Sequence, residues 1–218
     1  SFLIGERSNF IRTLFVISAF ILLIYEIKMK YKLLSLSSVA ICFLIILNFN
    51  PDYKLRYVQQ FTKVLTKEGV NYYFDNSIYG AHFNVAKEIY KDNKLFGVGI
   101  KNFRVESFSD KYENLNHKFN DRRGNTHPHQ VHFEFLAETG LVGYVSFAIF
   151  ILVSFYIAIK NYFRKKNLYQ LSAILYVGAS LLPLLPTGSF FTTYASGLFW
   201  LNYAIMVGYI NNTPKDKN

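Results

Sequence analysis

The sequence predicts an all-α polytopic membrane protein in which five transmembrane helices carry one large, partly helical loop on the outer face. Composition is the first reason: 51% of the 218 residues are hydrophobic and 18% aromatic, while 17% are charged with a net of +10. That balance suits a membrane protein with basic loops and not a soluble domain, so membrane lipids are expected partners and nucleic acid is not. The second reason is length. Apolar windows of roughly 17–21 residues, enough to cross a bilayer core as a helix, recur at 10–27, 33–49, 141–159, 168–185 and 190–210. The third is charge placement. Lys28, Lys30 and Lys32, then Lys160, Arg164, Lys165 and Lys166, then Lys215 and Lys217 all fall on one side if the windows alternate. The positive-inside rule makes that side cytoplasmic.

In chain order, residues 1–49 hold two spans, 50–140 the outer loop, 141–210 three spans and 211–218 an inner tail. The chain opens at Ser1 within a structured-looking stretch and shows no signal peptide, as expected of a fragment. Only Arg12 and Glu26 interrupt the first window, and Arg12 is expected to snorkel to head groups. Cys42, mid-window, reads as a packing residue. The loop is nearly balanced in charge and too long to lack structure of its own. Tyr57, Val58, Phe61, Val64 and Leu65 recur at helical spacing beside Arg56, Lys63 and Lys67, predicting an amphipathic helix on the membrane surface. Phe83, Ala86, Ile89 and Tyr90 predict a second helix ending at Asp92-Asn93, followed by the turn-rich Leu95-Phe96-Gly97-Val98-Gly99.

All five histidines (His82, His117, His127, His129, His132) lie in this loop, three of them in the stretch 126–143 that leads into the third span. A dinucleotide fingerprint would need a third glycine where Asn102 stands, and an HxHxDH zinc site would need Asp where Val131 stands, with further ligands downstream. Neither a cofactor nor a metal is therefore expected. Pro128 suits the first turn of a helix capped by Thr126 or His127. His129 would then sit in that turn, where the helix dipole disfavours its protonated form and suits it to act as a general base. The alternative is that His129 merely caps or packs a loop. Guanidinium groups bind phosphate bidentately, and Arg7 at the outer mouth of the first span and Arg104 beside Lys101 are candidates for that role or for plain surface charge. Arg122 and Arg123 read as solvated surface.

His129-Gln130, nine residues, then Gly140-x-x-Gly143 resembles the H[NSQ]-x9-G-x-x-G motif of the bacterial O-antigen ligase and polymerase family. Gly5-Glu6-Arg7-Ser8 resembles that family's arginine motif, and the Gly97/Gly99 segment followed by Phe103-Arg104 resembles its loop segment before the histidine. The resemblance covers essentially the whole chain but only the C-terminal half of a usual member. It implies a GT-C-like membrane fold at the bacterial inner membrane with the site facing the periplasm. It further implies a metal-independent, inverting glycosyltransferase that moves a glycan from undecaprenyl diphosphate to a hydroxyl of lipid A core, of a growing glycan or of a protein. Carried over, His129 would deprotonate the acceptor and Arg7 would hold the diphosphate. A second essential arginine, usual before the glycine pair, is missing from the segment Asn76–His82, leaving His82 or Arg104, with Lys101 and His127 nearby, as substitutes. A transporter that flips a lipid-linked sugar without chemistry is the competing reading. It would call for charged or polar residues inside several spans, where this chain has almost none.

Overall fold

All regular structure among the described residues of the computed structural model is helical; these residues are 7–49, 69–183 and 185–210, without the side chains of Arg7, Leu47 and Val70. The helices are α1 (Arg7–Leu23), α2 (Met29–Phe49), α3 (Gly69–Asp75), α4 (Ile78–Asp92), α5 (Phe103–Glu106), α6 (Val131–Lys165), α7 (Leu168–Ser180) and α8 (Thr193–Gly208). Short 3-10 turns at Asp110–Tyr112 and Asn120–Arg122 lie between α5 and α6. The amphipathic helix expected over 57–65 lies outside the described residues.

Of the five expected spans, two coincide with helices long and apolar enough to cross a membrane, α2 over Met29–Ile46 and α6. The apolar stretches Ser8–Leu23 of α1 and Leu168–Ser180 of α7 are shorter. The latter ends five residues before its predicted limit because Pro183 and Pro186 follow, and proline disfavours helix at the preceding residue and lacks the N–H that would continue it. Helices α2 and α6 leave much of their apolar surface outside the protein. Leu33, Leu34, Ile41, Leu44 and Ile45 of α2 are exposed, as are Ile149, Phe150, Leu152 and Val153 of α6. At roughly 25 cal/mol per Å² of apolar surface, that exposure is unfavourable in water and costs nothing in lipid. The sequence and the fold describe a helical membrane protein.

The inward faces of α6, α7 and α8, with Phe190 from the connection before α8, enclose a core of Phe135, Ile151, Tyr162, Leu171, Ile174, Phe190, Phe199 and Met206. Polar side chains fasten it from within, each with a partner, as an apolar surround requires. Asn161 donates to Gln170 Oε1 (2.7 Å) and to the Tyr209 carbonyl (3.0 Å), while Gln170 donates to the Met206 carbonyl (2.9 Å). The last carbonyls of α1 are satisfied by Lys32 Nζ on Leu22 (2.7 Å) and Tyr162 Oη on Leu23 (2.6 Å). A second, smaller core belongs to the loop: Val85, Ala86, Ile89, Phe103 and Tyr112 close over Ala137 of α6.

Helix α6 lines both cores and is broken at Gly140. There α6 is two helical segments joined by a residue at φ 65° and ψ −169°, a conformation essentially reserved for glycine. In an unbroken helix the Leu141 and Val142 N–H groups would bond the Ala137 and Glu138 carbonyls. Here Leu141 N–H donates to the Lys94 carbonyl (2.7 Å) and Val142 N–H to that of Leu95 (3.1 Å). In return, Val98 N–H (3.0 Å) and Gly99 N–H (2.9 Å) donate to the released carbonyls of Ala137 and Glu138. The segment Leu95-Phe96-Gly97-Val98-Gly99 thus substitutes for one missing turn, leaving none of the four groups orphaned. It approaches so closely that a Cβ on Gly140 would collide with Leu95 backbone, and one on Gly97 with the backbone of Glu138 and Thr139. Gly143 leaves room for the Thr139 side chain, whose hydroxyl bonds the Phe135 carbonyl (2.8 Å).

Gly140→Ala combines that collision with a backbone conformation costing about 1–3 kcal/mol for a residue with a side chain. Detergent-solubilised full-length protein carrying it is expected to melt several degrees below wild type; an unchanged melting temperature contradicts the joint described here.

Candidate active site

The first segment of α6 begins at Val131, three residues after Pro128 and so later than the proline signal suggests. Gln130 is the N-cap, extended at φ −157°, and its buried side-chain oxygen accepts from His132 N–H (2.7 Å) and Phe133 N–H (3.1 Å). Pro128 and His129 therefore precede the helix instead of opening it. The reason is that the amide of Gln130 satisfies two of the free N–H groups that neither Thr126 nor His127 reaches. His129 stands immediately before the cap at φ 57°, a left-handed conformation that is unfavourable for a histidine and is held from outside.

Behind His129 lies the connection between α7 and α8. Thr187 N–H donates to the His129 carbonyl (2.7 Å). Arg12 of α1 donates to the neighbouring carbonyls of Leu185 (3.1 Å) and Pro186 (2.7 Å), so it anchors this connection instead of snorkelling to head groups. Glu134, almost fully buried on α6, accepts from the Ser189 hydroxyl and from Phe190 N–H (2.7 Å). One turn on, buried Glu138 accepts from Lys101 N–H (2.6 Å) and Phe103 N–H (3.2 Å), fixing the start of α5.

In front of His129 lies α4, whose start is fixed by Ser77, its hydroxyl accepting from Gly80 N–H (2.9 Å). This places Tyr79 and His82 with ring centroids 5.3 Å from that of His129. The ring of His127 lies nearer still, at 4.1 Å. Asn125 sits among them: its side-chain oxygen accepts from Thr126 N–H (2.7 Å), and its nitrogen lies 3.2 Å from His82 Nε2 and 3.1 Å from His129 Nε2. His82 Nδ1 lies 3.1 Å from the Arg123 carbonyl. Arg123 itself is half-buried, with its guanidinium at the Asn120 and Ser109 carbonyls (both 3.4 Å), and so is not the solvated side chain expected; Arg122 is exposed.

Burial dominates the electrostatics of the cluster. Desolvation, then repulsion from His127 and His82, opposed by a hydrogen bond at the Thr187 backbone, pushes the His129 pKa down to about 4. Burial also lowers His82 and His127, against the hydrogen bonds each makes to backbone. Burial thus favours the neutral form of all three imidazoles.

The structure thus brings together His82, His127 and His129 from the sequence candidates. His117 and His132 serve packing, His117 on the Phe74 carbonyl (2.7 Å) and His132 on the Leu181 carbonyl (2.8 Å) and the Tyr144 hydroxyl (3.1 Å). Lys101 and Arg104 are exposed at the level of Glu138, about two helical turns along α6 from the histidine cluster. Arg7 is the first residue of α1, and Gly5 and Glu6 of its motif lie outside the described residues. Among the described residues no group of three or more His, Cys, Asp or Glu side chains is arranged to hold a metal ion. Sequence reasoning missed Asn125, Tyr79, Glu134 and Glu138. The glutamates carried a signal: two carboxylates one turn apart in an apolar stretch share a helix face and need buried donors. Asn125 and Tyr79 carried none, because their roles depend on the packing of α4 against the start of α6.

A helical membrane protein that assembles an imidazole site on a polar loop, at the head of a long apolar helix, is the class that fold and site define. The family model described as O-antigen ligase matches residues 2–148, which spans α1, α2, the loop and α6 to beyond Gly143. No curated protein and no solved structure matches the chain. The chain belongs to the O-antigen ligase family, a family of inner-membrane glycosyltransferases with a role in O-antigen and surface-polysaccharide biosynthesis.

Neutral burial of these histidines has a pH signature. A folded-state pKa below the unfolded value means the unfolded chain takes up protons first, so stability is complete above about pH 6.5 and is lost as pH falls toward about 4. Melting curves at about pH 7.5 and about pH 5 are expected to diverge more for the wild type than for His129→Gln, which removes one titrating group. Equal divergence contradicts neutral burial of His129.

Proposed function

We propose that this chain is the catalytic portion of a metal-independent, inverting glycosyltransferase. In this reading it transfers a glycan from undecaprenyl diphosphate to an acceptor hydroxyl, of lipid A core or of a growing glycan, at the periplasmic face of the inner membrane. The observation that carries the reading is His129, held in a left-handed conformation in front of the cap of α6 and gathered with His82, His127, Tyr79 and Asn125. The reading includes five spans in a GT-C-like arrangement, with basic inner loops and the polar loop outside. The exposed apolar faces of α2 and α6 support it.

In the proposed reaction, His129 takes the proton of the acceptor hydroxyl as its oxygen attacks the anomeric carbon. The bond from that carbon to the diphosphate breaks, and undecaprenyl diphosphate leaves with the electron pair. A single displacement inverts the anomeric centre. A base with a pKa of about 4 is weak in the empty site, but a diphosphate placed beside the imidazoles raises their pKa, since opposite charge within about 4–6 Å favours the protonated form. Base strength then arrives with the donor. Arg7 is assigned to the diphosphate; His82 and His127 line the site, and Arg104 and Lys101 contribute positive charge nearer the break in α6. The two nitrogens that flank Asn125 face an amide rather than a shared point, which suits chemistry without a metal.

His129→Ala and Arg7→Ala in the full-length protein are each expected to remove the surface-glycan ladder on gels, since losing a general base costs about 10²–10⁴-fold in rate. Wild-type ladders from both variants, at normal protein levels, would overturn the assignment.

A further inference from the structure

We infer that Asn125 is a positioning residue that fixes the tautomer and protonation state of His82 and His129 together. The inference rests on the reading of His129 as the base.

The orientation of the Asn125 amide is not free. Its oxygen accepts from Thr126 N–H (2.7 Å) and meets the Thr126 hydroxyl (3.3 Å), so its NH₂ must face the other way. Two imidazole nitrogens lie there, His82 Nε2 at 3.2 Å and His129 Nε2 at 3.1 Å. An NH₂ group has two hydrogens and no acceptor. Each Nε2 must therefore offer a lone pair. For His82 the other nitrogen agrees independently, because Nδ1 faces the Arg123 carbonyl, which only accepts, and so carries the proton. Protonating either Nε2 would set N–H against N–H. The amide thus admits the neutral, Nδ1-protonated form of both rings and opposes the imidazolium. It also leaves His129 with Nε2 as its basic atom, so the acceptor hydroxyl must take the place of one Asn125 hydrogen to be deprotonated.

The other titratable and charged groups around the pair do not supply this selection. Tyr79 on α4 meets His129 edge to face, and the tilted ring of His127 lies beside it without a hydrogen bond to its Nε2. Glu134 of α6 is engaged by Ser189 and Phe190, Arg12 of α1 holds the Leu185 and Pro186 carbonyls, and His117 is directed to Phe74.

The test has two arms on the full-length protein in lipid nanodiscs. Magic-angle-spinning NMR of ¹⁵N-histidine protein, with His82→Gln and His129→Gln for assignment, is expected to show Nε2 unprotonated and Nδ1 protonated in both rings at neutral pH. A protonated Nε2 in either ring overturns the inference, whatever the protein catalyses. The second arm is the pH profile of glycan transfer. Asn125→Asp replaces both donors by a carboxylate that favours imidazolium, so the acidic limb is expected to move up by about one pH unit or more, with activity recovering as pH rises. Asn125→Ala is expected to move it less. Equal loss at every pH, with an unmoved limb, would reduce Asn125 to a structural role and overturn the inference. Transfer that survives His129→Ala defeats the functional reading instead, and leaves the NMR arm to decide the tautomer.

Discussion

Everything around the imidazole cluster depends on the break at Gly140. It releases two carbonyls and two N–H groups at the point where α6 passes from the loop into its long apolar segment, and the 94–99 segment takes up all four. An apolar surround would not tolerate those groups unpaired. The exchange welds the loop to the helix with backbone hydrogen bonds alone, so it constrains the sequence only through glycine. That accounts for three of the motif glycines: Gly140 lets the helix break, Gly143 lets Thr139 pack, and Gly97 lets the loop come close enough to repair the break, while Gly99 takes a left-handed turn (φ 95°).

Seen this way, the spacing of the histidine motif is a length. Gln130 caps the segment and Gly140 ends it, and the nine residues between are helical, spanning about 13 Å at 1.5 Å per residue. The polar residue allowed after the histidine is a capping residue, and its side chain closes the helix just beyond His129. The segment is also the post to which its surroundings are tied. Glu134 holds the connection between α7 and α8, Glu138 holds the start of α5, and the broken turn holds the 94–99 segment. Removing either buried carboxylate partner would leave a charge or its donors uncompensated. The strained backbone of His129 persists only because these ties over-determine its position.

Much of this was legible in the sequence. Hydropathy located the apolar helices, and the Phe83/Ala86/Ile89 spacing is the buried face of α4. The motif residues stand at the cap, the break and the loop that repairs it. Helix ends were less legible, because caps are decided by side chains that compete: Gln130 displaced the signal of Thr126 and Pro128. The fate of charged residues was least legible. Arg12 reads in sequence as snorkelling and Arg123 as solvated surface, yet Arg12 is turned onto carbonyls of the connection between α7 and α8, and Arg123 onto those of Ser109 and Asn120. Asn125 follows the same rule, since its partners lie on α4 and at the head of α6.

The most direct measurement is single-turnover transfer by the purified full-length protein, with lipid-linked glycan as donor, comparing wild type with His129→Ala at matched folding and donor binding. A general base at this position predicts a rate lower by about 10²-fold or more with donor affinity preserved. A rate within a few-fold of wild type would contradict the account.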